Sequence, residues 1–318
     1  MEGPRWAGLT GRSDLSRCSY PRIPVNSMLL LLALSACSKP AADDSAASAG
    51  PTATLLAAGT NLADAAPSPD GSTIYYTGPG GTTLMAVRAD GTAAGSSNAV
   101  FLGARGLVVD PNDGTLYVAD PVAVGMSSIG TDLGSPRTIP GTENYAANAM
   151  DIIGGTLYLT GWLMDMSTGD QVPQSTGAWS VPVAGGDVST IAASVPSQDP
   201  SGIAVASDGS VYVAGSGDNG GTVWEVSTGT ANVVVDGLTL GNPAGIALNP
   251  DESALLISAL DASGHAEVVI VSLADGSTTT WNGTIGANTA AGGLHRAAGD
   301  STQYAWCGVN AGVYHVGF

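Results

Sequence analysis

Basic residues, aromatics, histidines and cysteines are all scarce in this 318-residue chain. Nine Lys and Arg stand against 27 Asp and Glu, for a formal charge of −18. A surface this acidic repels phosphate backbones and anionic head groups, which excludes nucleic acid as a partner. The apolar share is 44% but aromatics are only 5%, so the core must be built from small and β-branched side chains. The longest apolar run, Met28–Leu34 (MLLLLAL), is far too short to cross a bilayer. Only three Cys occur, at 18, 37 and 307, without a CxxC spacing, so neither a disulfide framework nor a thiolate metal site is available. Three His, at 265, 295 and 315, are too dispersed for a zinc cluster. No nucleophile elbow, phosphate loop or EF-hand pattern is present; GDNGG at 217–221 is a glycine-rich turn with no helix after it. Cys307, between Trp306 and Gly308 in a strand-like run, reads as a small buried apolar residue.

The N-terminal third of the first hundred residues reads as a leader. Arg5, Arg12, Arg17 and Arg22 precede the apolar run, as in a signal-peptide n-region, and Leu34-Ser35-Ala36-Cys37 follows it. That tetrad resembles the lipobox of bacterial lipoproteins, which implies cleavage before Cys37 and acylation of its thiol. Residues 1–36 are therefore expected to be a signal peptide, and 37–51 a flexible tether of small polar residues. The expected location is the cell envelope, lipid-anchored at the outer membrane or on the periplasmic or extracellular face, with the membrane a partner through Cys37. The mature chain keeps five basic and 25 acidic residues.

Residues 52–318 repeat. The segment SGIAVASDGSVYVAG (Ser201–Gly215) reads as two short strands around an Asp-Gly turn. Related versions begin at Ala63, Gly106, Asn148, Gly202, Gly245 and Gly293, spaced by 43, 42, 54, 43 and 48 residues. A period of about 40–50 residues with several short strands per unit is the signature of a β-propeller. Third strands are legible at LMAV, AWSVPV, VWEV and VVIVSL, and fourth strands at AVFLG, VSTIAAS, ANVVVDG and STTTWNG. The last unit ends at its third strand, GVYHVGF, so TATLLAAG (Thr52–Gly59) is expected to supply the missing fourth and close the ring. The prediction is all-β: a single six-bladed β-propeller, monomeric, closed by an N-terminal strand completing the last blade. The long third unit carries Trp162–Thr176, expected as a surface loop.

The segments SPDGSTIYYTG and GIALNPDESALLIS resemble the YVTN and NHL repeats of six-bladed propellers. Their superfamily includes the gluconolactonase (senescence marker protein), strictosidine synthase and paraoxonase groups. The resemblance implies a site at the channel mouth, where residues at the inner-strand starts bind Ca2+ through Glu, Asn and Asp. In this chain the residues before those strands are Leu62, Arg105, Ala147, Ser201, Ala244 and Gly292, none of them acidic or an amide. Asn and Asp occur nearby instead, at 61, 64, 148, 151, 199 and 242. Asp64, Asn148, Asp199 and Asn242 are the set that would hold Ca2+, the one cofactor the pattern suggests.

His295 falls on the sixth inner strand, where the other units place Ala65, Val108, Met150, Ala204 and Ala247, and Arg296 follows it. The pair reads as general base and anion clamp, with alternation sending one of the two towards the channel. Arg105 is a second anion contact, and Trp162, opening the long insertion, is a ligand-stacking candidate; the remaining tryptophans read as inter-blade packing. Two functions follow. One is an anchored binding module for a small-molecule or protein ligand at the propeller face. The alternative is a calcium-assisted hydrolase of lactones, esters or phosphotriesters, or a lyase, with its site at the mouth.

Overall fold

In the computed structural model the described residues are 52–167, 169–281, 291–297, 302–308 and 311–317. They contain no α-helix. The expected signal peptide (1–36) and tether (37–51), Cys37 among them, lie outside them. Twenty-four strands form six four-stranded antiparallel sheets. A closing strand β1 (Thr52–Ala58) comes first. The first blade is β2 (Ala65–Pro67), β3 (Thr73–Thr77), β4 (Leu84–Arg88) and β5 (Ala93–Ser96); the second is β6 (Gly106–Val109), β7 (Leu116–Ala119), β8 (Met126–Ile129) and β9 (Arg137–Thr138). The third holds β10 (Tyr145–Ile153), β11 (Thr156–Asp165), β12 (Val172–Pro182) and β13 (Ser189–Ala192). The fourth holds β14 (Pro200–Val205), β15 (Val211–Gly217), β16 (Gly220–Ser227) and β17 (Thr230–Leu238). The fifth holds β18 (Ile246–Leu248), β19 (Ala254–Leu260), β20 (Ala266–Ser272) and β21 (Thr278–Trp281). The last is β22 (Ala291–Arg296), β23 (Gln303–Gly308) and β24 (Gly312–Gly317), with β1 as its outer strand.

The closure is the one read from the repeat. β1 pairs antiparallel with β24, from Thr52 opposite Gly317 to Ala58 opposite Gly312, so the chain's two ends share one blade and neither leaves an open ladder inside the ring. Inner strands contact one another in the order β2, β6, β10, β14, β18, β22 and back to β2.

The core consists of six apolar clusters, one per blade–blade interface. Between blades one and two Leu84, Phe101, Leu107 and Leu116 interlock. Between the last and the first, Ala65, Ile74, Cys307 and Val313 do so. Each sheet is covered on both faces by its neighbours, so inner and second strands are apolar on both sides: Pro200–Val205 is buried at every position. Trp179, Trp224 and Trp306 are buried in these interfaces, and Trp306 Nε1 donates to Ser258 Oγ at 2.7 Å. Cys307 is fully buried and burial pushes its thiol pKa well up, as befits an inert packing residue.

Two expectations need correction. Trp162–Thr176 is mostly strand: β11 and β12 run on past the sheet as a hairpin, pairing Trp162 with Thr176 and Asp165 with Val172, because the two arms carry enough β-forming residues to continue the ladder. The fourth strand of the first blade is β5, which the tight Asp90–Gly91 turn folds back onto β4. The AVFLG segment lies after it, burying Phe101 while Val100 and Leu102 stay exposed.

Candidate functional site

Hairpin register fixes which residues share a level around the channel. Ala66, Val108, Asp151, Ala204, Ala247 and His295 stand opposite Tyr75, Tyr117, Tyr158, Tyr212, Leu256 and Ala305 on the second strands. The sequence column is off by one in two blades, at Ala65 and Met150. The hairpin turns differ in length, and β10 carries a bulge at Asn148, so aligning unit starts misplaces the third strand. The correction puts Asp151 on the level of His295.

Below that level, at the C-terminal ends of the inner strands, lies a cavity of about 280 Å³ lined by Val108, Asp151, Ala247, Glu252, His295 and Arg296 among others. It sits at the opposite end of the channel from the expected mouth. Both His295 and Arg296 line it, against the expectation that alternation would admit only one. Leu294 packs into the interface with blade five, and Arg296, on the same side of β22, is long enough to reach Glu252 in the turn after β18.

His295 is held by Asp64, its Nε2 3.0 Å from Asp64 Oδ2. Asp64 is only 1% exposed. Its own place is fixed by Thr77 Oγ1, which accepts from the backbone N–H of Ala63 and Asp64 at 2.9 and 3.0 Å. The carboxylate also accepts from the N–H of Ala65 at 2.9 Å and, across the blade boundary, from that of Leu107 at 2.8 Å. Room for it comes from Gly293, where a Cβ would overlap Asp64 Oδ1. An ionised carboxylate only accepts, so Nε2 carries the proton and Nδ1 is the nitrogen left to act as a base. Burial works against the imidazolium, but the Asp64 charge and hydrogen bond, with Asp151 behind them, outweigh it and raise the pKa of His295.

Asp151 repeats the stitch two blades on, accepting from Ile152 and Val205 N–H, both at 2.8 Å. Burial raises its pKa; His295, the two backbone donors and Arg296 only partly offset this. At the rim, Glu252 joins three blades. It accepts from Ser207 N–H at 2.8 Å and Ser207 Oγ at 2.6 Å, and pairs with Arg296 Nη2 at 2.6 Å. Burial opposes its charge, yet the bonds from Ser207 and Arg296 bring its pKa down.

The calcium set divides. Asn148, Asp199 and Asn242 meet at the inner-strand starts, but Asp64 is committed to His295 and Leu107. Asn148 Nδ2 donates to Asp199 Oδ1 at 3.1 Å and to the Pro200 carbonyl at 3.0 Å, and Asn242 Nδ2 donates to Asp199 Oδ2. Asn242 Oδ1 accepts from Arg105 Nη1 at 3.1 Å. A Ca2+ ion asks for six to eight hard oxygens. Here both amide nitrogens face the one carboxylate and a guanidinium takes an amide oxygen, so as packed these residues do not fit the ion. Among the described residues no group of three or more Asp, Glu, His or Cys side chains is arranged to hold a metal. Trp162 is half-buried on β11 and does not line the cavity; His265 belongs to an exposed turn, 3.5 Å from Asp261.

The sequence singled out His295 and Asp64 in separate roles, and their pairing across 231 positions carried no local signal. Glu252 was missed altogether, sitting in what reads as an ordinary PDES turn.

No protein-family model matches the chain, and no curated protein does. Solved structures match its fold. A gluconolactonase from Xanthomonas campestris aligns with a TM-score of 0.63 at 16% identity, covering 83% of this chain and 89% of that one. A luciferin-regenerating enzyme aligns at 0.60 and 11%, covering 85% and 96%. The PQQ-bound aldose sugar dehydrogenase of Streptomyces coelicolor aligns at 0.59 and 12%, covering 84% and 98%. The chain is thus a six-bladed β-propeller whose structural neighbours include gluconolactonase-like propellers. At such identities the likeness is one of fold, and the neighbours' differing activities illustrate that this fold does not fix the chemistry.

Proposed function

We propose that the protein is a hydrolase of small lactones or esters that works by general acid–base catalysis in the channel cavity. The observation that carries this reading is the His295–Asp64 pair, 3.0 Å apart, with its imidazole on the cavity wall. With Nε2–H held by Asp64, neutral His295 presents Nδ1 to a water molecule and draws off its proton as the water adds to a carbonyl carbon. Asp64 steadies the imidazolium that forms. Arg296 gives one donor to Glu252, and its fork offers further N–H groups to the developing oxyanion. The imidazolium then returns the proton to the leaving oxygen. A cavity of about 280 Å³ suits a compact ring or a short acyl group. Anchorage at the envelope through Cys37 is part of the same proposal, since a tethered propeller would act on material outside the cytoplasm.

The test is a panel of lactones and aryl esters assayed with wild type and His295→Gln. The variant should keep the wild-type circular dichroism and lose about a hundredfold or more in kcat/KM, the range expected for removing a general base. Equal turnover by the two proteins would refute the assignment. The second reading, a binding module, is favoured by one observation: Asp64 and Asp151 both spend carboxylate oxygens on backbone N–H groups of the next blade, a device for rigidity. It predicts no turnover by wild type across the panel.

A further inference from the structure

Arg105 precedes β6 in the second blade, and Asn242 lies in the loop leading to β18 in the fifth. In the ring order of inner strands these blades are three places apart, on opposite sides of the channel. The Arg105 side chain therefore spans the mouth to reach Asn242. Beyond Asn242 stand Asp199 and Asn148, the three coming from three consecutive blades. Asn148 is fully buried and its Oδ1 has no hydrogen-bond partner. That orientation of the amide is forced, because turning it over would aim Oδ1 at Asp199 Oδ1 and the Pro200 carbonyl, two acceptors. Burial raises the pKa of Asp199, and the Arg105 charge pulls it back.

We propose that Arg105 is a built-in counter-cation. Its guanidinium neutralises Asp199 across the channel mouth in place of a divalent ion, so the native protein is indifferent to Ca2+, and a chain neutral at 105 becomes a Ca2+ binder. Without the guanidinium, Asn242 Oδ1 joins Asn148 Oδ1 in having no donor, beside a carboxylate without a counter-charge. Hard oxygens on one anionic residue and two amides, with water completing the shell, are ligands that Ca2+ accepts. This inference is independent of the hydrolase reading, and its readouts are unfolding and metal binding.

The experiment compares full-length wild type, Arg105→Lys and Arg105→Met by thermal unfolding in millimolar CaCl2 or EDTA, and by calorimetric titration with Ca2+. Wild type and Arg105→Lys should unfold within about 1 °C of the same temperature in both buffers and give no binding heat. Arg105→Met should rise by about 3 °C or more in CaCl2 and titrate saturably. The double variant Arg105→Met/Asp199→Asn should lose both responses. Arg105→Gln supplies the same comparison should Arg105→Met not fold. Stabilisation of wild type by Ca2+ would overturn the proposal, and so would a folded neutral variant that ignores the ion.

Discussion

Replacing Asp64 by Asn exchanges one carboxylate oxygen for an NH2 group at almost no change in volume, and it strikes a buried carboxylate on which three donors converge. In wild type those donors are the N–H groups of Ala65 and Leu107 and the Nε2–H of His295, at 2.9, 2.8 and 3.0 Å. An amide keeps one oxygen and turns two N–H donors towards a site built for acceptors only. His295 can answer by deprotonating Nε2 and accepting from the amide, but one of the two backbone N–H groups then loses its partner in a place with 1% exposure. A hydrogen bond to a charged group is worth about 1.5–3 kcal/mol, and a buried donor left unpaired costs about 1–3 kcal/mol. Part of this is recovered by the new amide–imidazole bond, so the loss should come to about 2–4 kcal/mol. For a domain of this size each kcal/mol moves the midpoint by about 2–4 °C, which puts Asp64→Asn about 4–16 °C below wild type.

The pH dependence separates the ion pair from the backbone bonds. The folded state raises the pKa of His295 above its unfolded value of about 6.5. A raised histidine contributes stability that is complete below the unfolded pKa and disappears as pH climbs through the folded one. The gap between wild type and Asp64→Asn should therefore be widest near about pH 6 and shrink on the alkaline side to what the lost backbone acceptor costs. Thermal melts at a series of pH values measure both components. A gap that stays constant with pH would mean that the His295–Asp64 contact carries no charge interaction, and no gap at all would mean that the carboxylate is dispensable to the fold.

Other outcomes follow from the same geometry. Gly293→Ala places a methyl group on Asp64 Oδ1, so it should break the contact with His295 and cost at least as much stability as Asp64→Asn. Gly95→Ala, whose Cβ would meet only Leu133 Cδ1 at 3.7 Å, should stay within about 0.5 kcal/mol of wild type in the same melts. If lactone or ester turnover is found, its rise with pH should track deprotonation of His295 and be displaced upward from that of a free imidazole. Asp64→Asn should move this limb down in pH, a change visible in a kcat/KM profile. Cys37→Ser should transfer the protein from the detergent to the aqueous phase on phase partition; unchanged partition would remove the lipid anchor from the proposal.

What could be read from the sequence was whatever repeats locally. The hairpin around Asp208–Gly209 is set by neighbours a few residues apart, its recurrence counts six blades, and a last unit one strand short points to the orphan strand at Thr52 as the closure. Where the reading slipped, a local exception intervened: a bulge at Asn148, a hairpin in the third blade turning on Gly154–Gly155, and an extension whose arms continue the ladder. The site differs in kind. Its contacts join Asp64 to His295, Arg105 to Asn242 and Glu252 to both Ser207 and Arg296, between 44 and 231 residues apart, and every one crosses from one blade to another. A propeller brings equivalent positions of all units to one axis, so a side chain can meet partners from any blade that points inward at its level. Which partner it meets depends on register, and one residue of slippage in a single unit exchanges Met150 for Asp151 on the channel wall. The glycines at or near the starts of the inner strands gave the usable hint. Asp64 is the only carboxylate in a column that otherwise reads Gly106, Ala149, Gly202, Gly245 and Gly293. A column of residues with little or no side chain around one acid is space kept for that acid and for whatever it holds.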